Sequence, residues 1–203
     1  MFPYTINNAV DYLLKQEFDV YREKGEKHPV MAENGIEALP YKHEKLNEWR
    51  HNFTGVRYNH ESTDFTVFGA VDDVWVNPAG ELIVVDYKAT GANEHKIHDS
   101  YGRQMEIYQW LFSMNGFKVS PVGYFVFAKV NKGGGFSKEN GFTKATLPFD
   151  IFVESYKGDN SWVEKKLYDA RETMDSDEPP LASDECNYCR YSDSVGKSLQ
   201  DSF

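Results

Sequence analysis

Leu82-Ile83-Val84-Val85-Asp86-Tyr87-Lys88 runs from four consecutive branched apolar residues straight into an acid, an aromatic and an amine. The apolar run specifies a buried strand. On extended backbone successive side chains alternate, so Val84, Asp86 and Lys88 project to one face while Ile83, Val85 and Tyr87 project to the other. Asp86 and Lys88 therefore address the same volume. An acid and an amine at the end of a buried strand need a reason, because burying unpaired charge is costly. The structural reason is a mutual ion pair; the functional one is a shared ligand.

Upstream, the segment from Phe65 to Val76 reads as one strand, with Gly69-Ala70-Val71-Asp72 at its middle. Asn77-Pro78-Ala79-Gly80 is a turn, so this strand and the one from Glu81 to Lys88 form an antiparallel pair that carries Asp72 beside Asp86. Two adjacent carboxylates repel and raise a pKa unless a cation lies between them. Hard oxygen ligands with room for water suit Mg²⁺ or Mn²⁺, and the backbone carbonyl of Tyr87 is a further candidate ligand. Asp73 faces the other side of the strand and is expected to be structural.

Downstream, a helix from Tyr101 to Asn115, ended by Gly116, places Tyr101, Met105, Tyr108, Leu111 and Phe112 on an inward stripe. Gln104 falls on that stripe, where an amide needs hydrogen-bond partners or a ligand. Strands follow from Val122 to Val130 and from Leu147 to Tyr156. Tyr124, Phe125 and Phe127 in the first of these are expected to pack the core rather than stack on bases. Gly133-Gly134-Gly135 lacks the Lys-Ser/Thr signature of a phosphate-binding loop and reads as a flexible connection. A last helix carries Val163, Leu167, Ala170 and Met174 before Pro179-Pro180.

Toward the N-terminus, Ile6 to Tyr21 reads as a helix with Val10, Leu13, Leu14, Phe18 and Tyr21 on one face, then a polar segment from Arg22 to His28. Pro29 and Gly35 mark loop. A second helix is expected from Pro40 to about Asn52, with Leu46, Trp49 and Phe53 at helical spacing.

Composition limits the classes of function. The 203 residues suffice for one domain, and 40% hydrophobic with 15% aromatic content describes a folded core without a membrane-length apolar run. Met1 to Val10 has neither a basic start nor a long apolar segment, so a cytoplasmic setting with no membrane attachment is expected. The formal charge of -10 argues against a general nucleic-acid coat. It leaves room for a local track, for which Lys42, Lys45, Arg50, Arg57, Lys129, Lys132, Lys138 and Lys144 are candidates. Glu172, Asp175, Asp177, Glu178, Asp184 and Glu185, with no intervening base, read as a solvated acidic face.

Taken in order, the Gly-x-x-Asp strand ending at Asp72, the Asp-x-Lys strand of Asp86 and Lys88, and the Gln-x-x-x-Tyr helix of Gln104 and Tyr108 resemble the PD-(D/E)XK nuclease superfamily, particularly its RecB-like branch. The likeness covers roughly residues 40 to 156 and weakens at both ends. It implies an α/β fold with a restriction-endonuclease-like αβββαβ core, a central mixed sheet flanked by helices. A single nuclease domain over residues 1–203 would then consist of that core, a helical segment over 1–39 and a helical, Cys-bearing tail over 157–203.

By the same resemblance the protein is a Mg²⁺- or Mn²⁺-dependent deoxyribonuclease. Asp72, Asp86 and the Tyr87 carbonyl would hold metal, Lys88 would position or activate the attacking water, and Gln104 and Tyr108 would support the site or substrate. Relatives carry a further metal-binding His on the helix before the strands, for which His43 is the candidate, with His28, Glu44 and Glu48 as competitors. His51, His60, His95 and His98 read as surface residues. DNA is the implied partner, in a phage, repair or recombination process that can include a protein partner. The alternatives are a catalytically inactive module for nucleic-acid binding or partner docking, and a globular protein whose Asp86-Lys88 pair is structural.

Cys186 and Cys189 resemble the tail of iron-sulfur RecB-like nucleases, including the type associated with CRISPR adaptation, but those use four cysteines. Two thiolates do not complete such a cluster. A relic that closes the tail by packing or by a labile thiol pair is expected instead, with zinc held by outside ligands as the other option.

Overall fold

The computed structural model describes residues 5–94, 96–133 and 146–200, with side chains to residue 197. His95, Lys138, Lys144 and the glycines at 134 and 135 lie outside the described residues. Helix α1 (Thr5–Lys24) buries Val10, Phe18 and, one residue beyond the expected helix end at Tyr21, Arg22. Leu13, expected on that face, is exposed. The buried stripe climbs in steps of four from Val10 through Leu14 to Phe18 and Arg22, and Leu13 lies off it.

Pro29 starts a helix rather than marking a loop. In α2 (Pro29–Glu33) the proline occupies the first turn, where no backbone donor is needed, and His28 Nδ1 caps it by accepting the N–H of Val30 at 3.1 Å. The two-residue strand β1 (Leu39–Pro40) follows. The helix expected to reach about Asn52 shrinks to the single turn α3 (Leu46–Trp49). Leu46 and Trp49 are buried as expected, whereas Phe53 is 81% exposed. His43 and His51 each turn a ring nitrogen back onto a backbone N–H two residues on, at Lys45 and Phe53, and these local bonds compete with helix at both ends.

The strand expected from Phe65 to Val76 is two strands in two sheets. β2 (Val56–His60) and β3 (Phe65–Gly69) form an antiparallel hairpin, with Arg57 directly opposite Phe68. After a break at residues 70–72, β4 (Asp73–Val76) enters the main sheet. The turn from Asn77 to Gly80 forms as expected: Asn77 Oδ1 accepts the N–H groups of Ala79 and Glu81, and Gly80 takes a left-handed φ of 74°. It delivers the chain into β5 (Leu82–Thr90), antiparallel to β4.

Helix α4 (Asp99–Met114) then crosses to β6 (Val122–Val130), parallel to β5, and β7 (Phe149–Lys157) completes the edge. The five-stranded order is β1-β4-β5-β6-β7. This mixed sheet with helices packed on it is consistent with a restriction-endonuclease-like fold, and its leading helix is α1.

Strand alternation sorts the core as the sequence requires. Ile83, Val85 and Tyr87 pack with Phe18, Met31, Trp75 and Val126. The opposite face of β5 meets α4, whose Met105, Leu111 and Phe112 are fully buried. Each such side chain contributes about 1.5–3 kcal/mol on burial. Phe125 and Phe127 are core residues too.

Residues 1–163 form one compact unit and residues 164–203 a second. The second contains most of α5 (Val163–Asp175) and α6 (Asn187–Gln200). Its acidic residues from Glu172 to Glu185 are exposed. Cys186 and Cys189 are free thiols; the Cys189 N–H approaches Cys186 Sγ at 3.5 Å and pulls that thiol down, while Cys186 raises Cys189. Among the described residues no helix is long and apolar enough to cross a membrane.

Candidate active site

The break at residues 70–72 builds the site. Pairing between β4 and β5 ends at Asp73 opposite Val85, so from Asp86 onward β5 loses its partner on that edge. The N–H of Tyr87 would be left bare there. Asp72 Oδ2 accepts it at 2.8 Å, so a carboxylate takes the place of the missing ladder bond. In an extended strand the N–H and C=O of one residue leave toward the same neighbour. The Tyr87 carbonyl thus faces the edge that Asp72 occupies.

Asp86 and Lys88 share a face, as alternation requires. Lys88 Nζ lies 2.5 Å from Asp86 Oδ2. That buried carboxylate oxygen therefore has a lysine ammonium directly beside it. Asp86 is 3% exposed. Burial first, and then the Asp72 carboxylate, push its pKa up to about 7. Burial also raises Asp72, against the opposing pull of Lys15.

That lysine was not visible as a site residue in the sequence. Lys15 Nζ reaches from α1 to Asp72 Oδ1 at 3.2 Å and to Asp11 Oδ2 at 2.8 Å. Burial disfavours its charge, but the carboxylates of Asp72 and Asp11 more than offset this and raise its pKa. The available signal was the four-residue spacing of Asp11 and Lys15, which puts both on one helix face.

Arg50, a candidate for a DNA-backbone track, is committed elsewhere. Its Nε donates to the Asp72 carbonyl at 3.0 Å, and its terminal nitrogens hold Asp19 at 2.9 and 3.0 Å and Asp73 at 2.9 Å. Asp73 is fully buried and structural, as its strand face predicts. It also accepts from Tyr87 Oη at 2.7 Å and from Arg22. This network fixes the backbone on which Asp72 sits. Lys42 pairs with Glu23 on the surface.

From α4, Gln104 and Tyr108 approach the same place. Gln104 Nε2 donates to Tyr108 Oη at 2.7 Å, and Gln104 Oε1 lies 3.5 Å from Lys88 Nζ. Tyr108 is pushed up to about 12 by burial, so its hydroxyl stays protonated. Gly69 is required by this packing, because a β-carbon there would lie 2.5 Å from Tyr108 Cε1. Tyr101 places its ring centroid 4.6 Å from Lys88 Nζ. Asp11, Lys15, Arg50, Asp72, Lys88 and Tyr101 line a polar cleft of about 500 Å³.

His43 is not brought to this group. Its ring stacks on Trp49 at 4.4 Å and lines a separate depression with Glu44, Lys45 and Phe117. One-turn α3 cannot carry it inward. Of its competitors, His28 caps α2 and stacks on Phe18 at 4.2 Å, and burial lowers its pKa. Glu44 and Glu48 are exposed. His51 and His98 are surface residues, but His60 is buried, with Nδ1 2.8 Å from Thr63 Oγ1.

No curated protein and no solved structure matches the chain. The model of the PD-(D/E)XK nuclease superfamily does, over residues 5–194. The match begins with α1, where Asp11 and Lys15 reach the cleft, and spans every strand of the sheet. On that extent of agreement the chain belongs to the PD-(D/E)XK nuclease superfamily.

Proposed function

We propose that the protein is a Mg²⁺- or Mn²⁺-dependent deoxyribonuclease that hydrolyses phosphodiester bonds at Asp72, Asp86 and Lys88. The observation that carries this reading is the buried Asp86 carboxylate, with Lys88 on its own face and the Asp72 carboxylate acting on it from the rim of a polar cleft. Oxygen donors suit a hard cation, and Asp72, Asp86 and the Tyr87 carbonyl would hold it. Among the described residues no group of three His, Cys, Asp or Glu side chains assembles, so water would complete the shell, as Mg²⁺ prefers. Bound there, the ion supplies charge that acidifies water and offsets negative charge on the phosphate.

Lys88 adds a second, fixed cation on the same face, where it stabilises charge developing on the scissile phosphate or orients the attacking water. Gln104 restrains the Lys88 amine through its carbonyl oxygen, and Tyr108 anchors Gln104. His43 has no part in this arrangement. The proposal extends to one nuclease domain over residues 1–203, DNA as the partner in a phage, repair or recombination process, a cytoplasmic setting, and a tail without an iron-sulfur cluster. An inactive binding module is disfavoured, since it need not retain Asp72, Asp86 and Lys88 together.

Calorimetric titration with Mn²⁺ tests the metal set. Loss of an outer-shell partner typically weakens metal affinity by roughly 10–100-fold, so Asp72→Asn, which removes a direct ligand, is expected to weaken it at least that much. Unchanged affinity in a folded variant would remove Asp72 from the site.

A further inference from the structure

We propose that the apolar recess beside the polar cleft is a subsite for one unpaired nucleobase, which makes a single strand the preferred substrate; the inference deepens, and rests on, the nuclease reading. The recess holds about 490 Å³ and is lined by Phe68, Tyr101, Arg103, Gln104, Ile107 and Tyr108. Tyr101 is common to the recess and the polar cleft, and Gln104 reaches Lys88. A base held there therefore belongs to a nucleotide next to the reacting phosphate.

Phe68 is the feature that core packing does not explain. It points outward from β3 and is 49% exposed, whereas its chain neighbours Val67 and Gly69 are half-buried. Arg57, its cross-strand partner, sets a guanidinium 5.4 Å from the ring centroid. Exposed Arg103 stands on the adjoining turn of α4. A half-exposed ring with one guanidinium over it and a second arginine on the same recess matches a nucleotide, whose base needs a stacking surface and whose phosphate needs positive charge. An apolar side chain of a protein partner would have no use for Arg57 and Arg103. On a chain of net charge -10, these arginines are a local exception that suits a nucleic-acid backbone. Paired bases keep their faces within the stack, so a platform of this kind selects a strand whose bases are free.

Fluorescence anisotropy in EDTA at fixed salt, with cutting stopped, tests the subsite. The ligands are a labelled single strand, an abasic strand of the same length and a duplex. The parent is expected to bind the intact strand roughly tenfold more tightly than the abasic one. Phe68→Ala and Phe68→Leu should bind both strands alike, and Phe68→Trp should keep the preference. Equal binding of intact and abasic strands by the parent, or a preference that survives Phe68→Leu, overturns the subsite. If that result accompanies metal-dependent cutting of duplex, the nuclease reading stands without it. A base preference abolished by Phe68→Leu, with no cutting in any divalent metal, retains the subsite and removes the nuclease.

Discussion

Asp86 concentrates the conflict between stability and function. Its folded pKa of about 7 stands above the unfolded value of 3.8. Between these values the folded protein holds a proton that the unfolded chain has released, and above pH 7 the buried carboxylate is ionised at full cost. Stability of the metal-free protein therefore falls as pH rises from about 4 through 7, by a few kcal/mol from this group. In EDTA, melting curves from pH 5 to 8 should shift progressively in favour of Asp86→Asn over the parent. A constant difference across that range would show that Asp86 is ionised throughout. Gly69 supplies a second test at this scale. Its hydrogen leaves room for the Tyr108 ring, so Gly69→Ala should push Tyr108 from Gln104 and lower cleavage more than it lowers the melting temperature, read by rates and thermal scans on one preparation. The common face of Asp86 and Lys88 was legible, because strand alternation is a local rule. Lys15 was not, because its partner Asp72 is 57 residues away.

At the scale of elements, the decisive event is the departure of the chain from the sheet at residues 70–72. The strand formers on either side, Phe65 to Phe68 and Val74 to Val76, masked it, although Gly69, Ala70, Asp72 and Asp73 between them are poor strand residues. What separates β3 from β4 is tertiary: Gly69 lies under Tyr108, and Asp73 is drawn into a buried pocket by Arg22, Arg50 and Tyr87. Removing one member of a buried charged network costs up to about 3–5 kcal/mol, and Arg50 is the member that also holds the Asp72 carbonyl, while Asp73 keeps Arg22 and Tyr87. Arg50→Met should lose stability on that order in urea unfolding. A loss within the range of a surface substitution would mean that the network does not hold the break. The helix misplaced over residues 40–52 has a similar origin, since the side-chain turns at His43 and His51 that shorten it are invisible to apolar spacing. The turn from Asn77 to Gly80, the sheet strands from Leu82 onward and α4 were all readable, because local pattern and tertiary packing agree there.

At the scale of the whole molecule, a net charge of -10 and the proposed role on DNA are compatible if charges of both signs lie close together at the site. The acids around the cleft are paired with Lys15 and Lys88, and exposed Arg57 and Arg103 stand at the recess. Excess acidity in the tail stays exposed. In the proposed mechanism, a divalent ion and Lys88 would jointly bring a phosphate to Asp72 and Asp86. The most direct test is to incubate the parent and Lys88→Ala with labelled single- and double-stranded DNA in Mg²⁺, Mn²⁺ or EDTA, after matching their melting curves. The parent should cut in Mg²⁺ or Mn²⁺ and not in EDTA, and Lys88→Ala should fold normally and cut at least roughly 10²-fold more slowly. Equal cutting by the variant, cutting in EDTA, or no cutting by the parent in either metal would contradict the account.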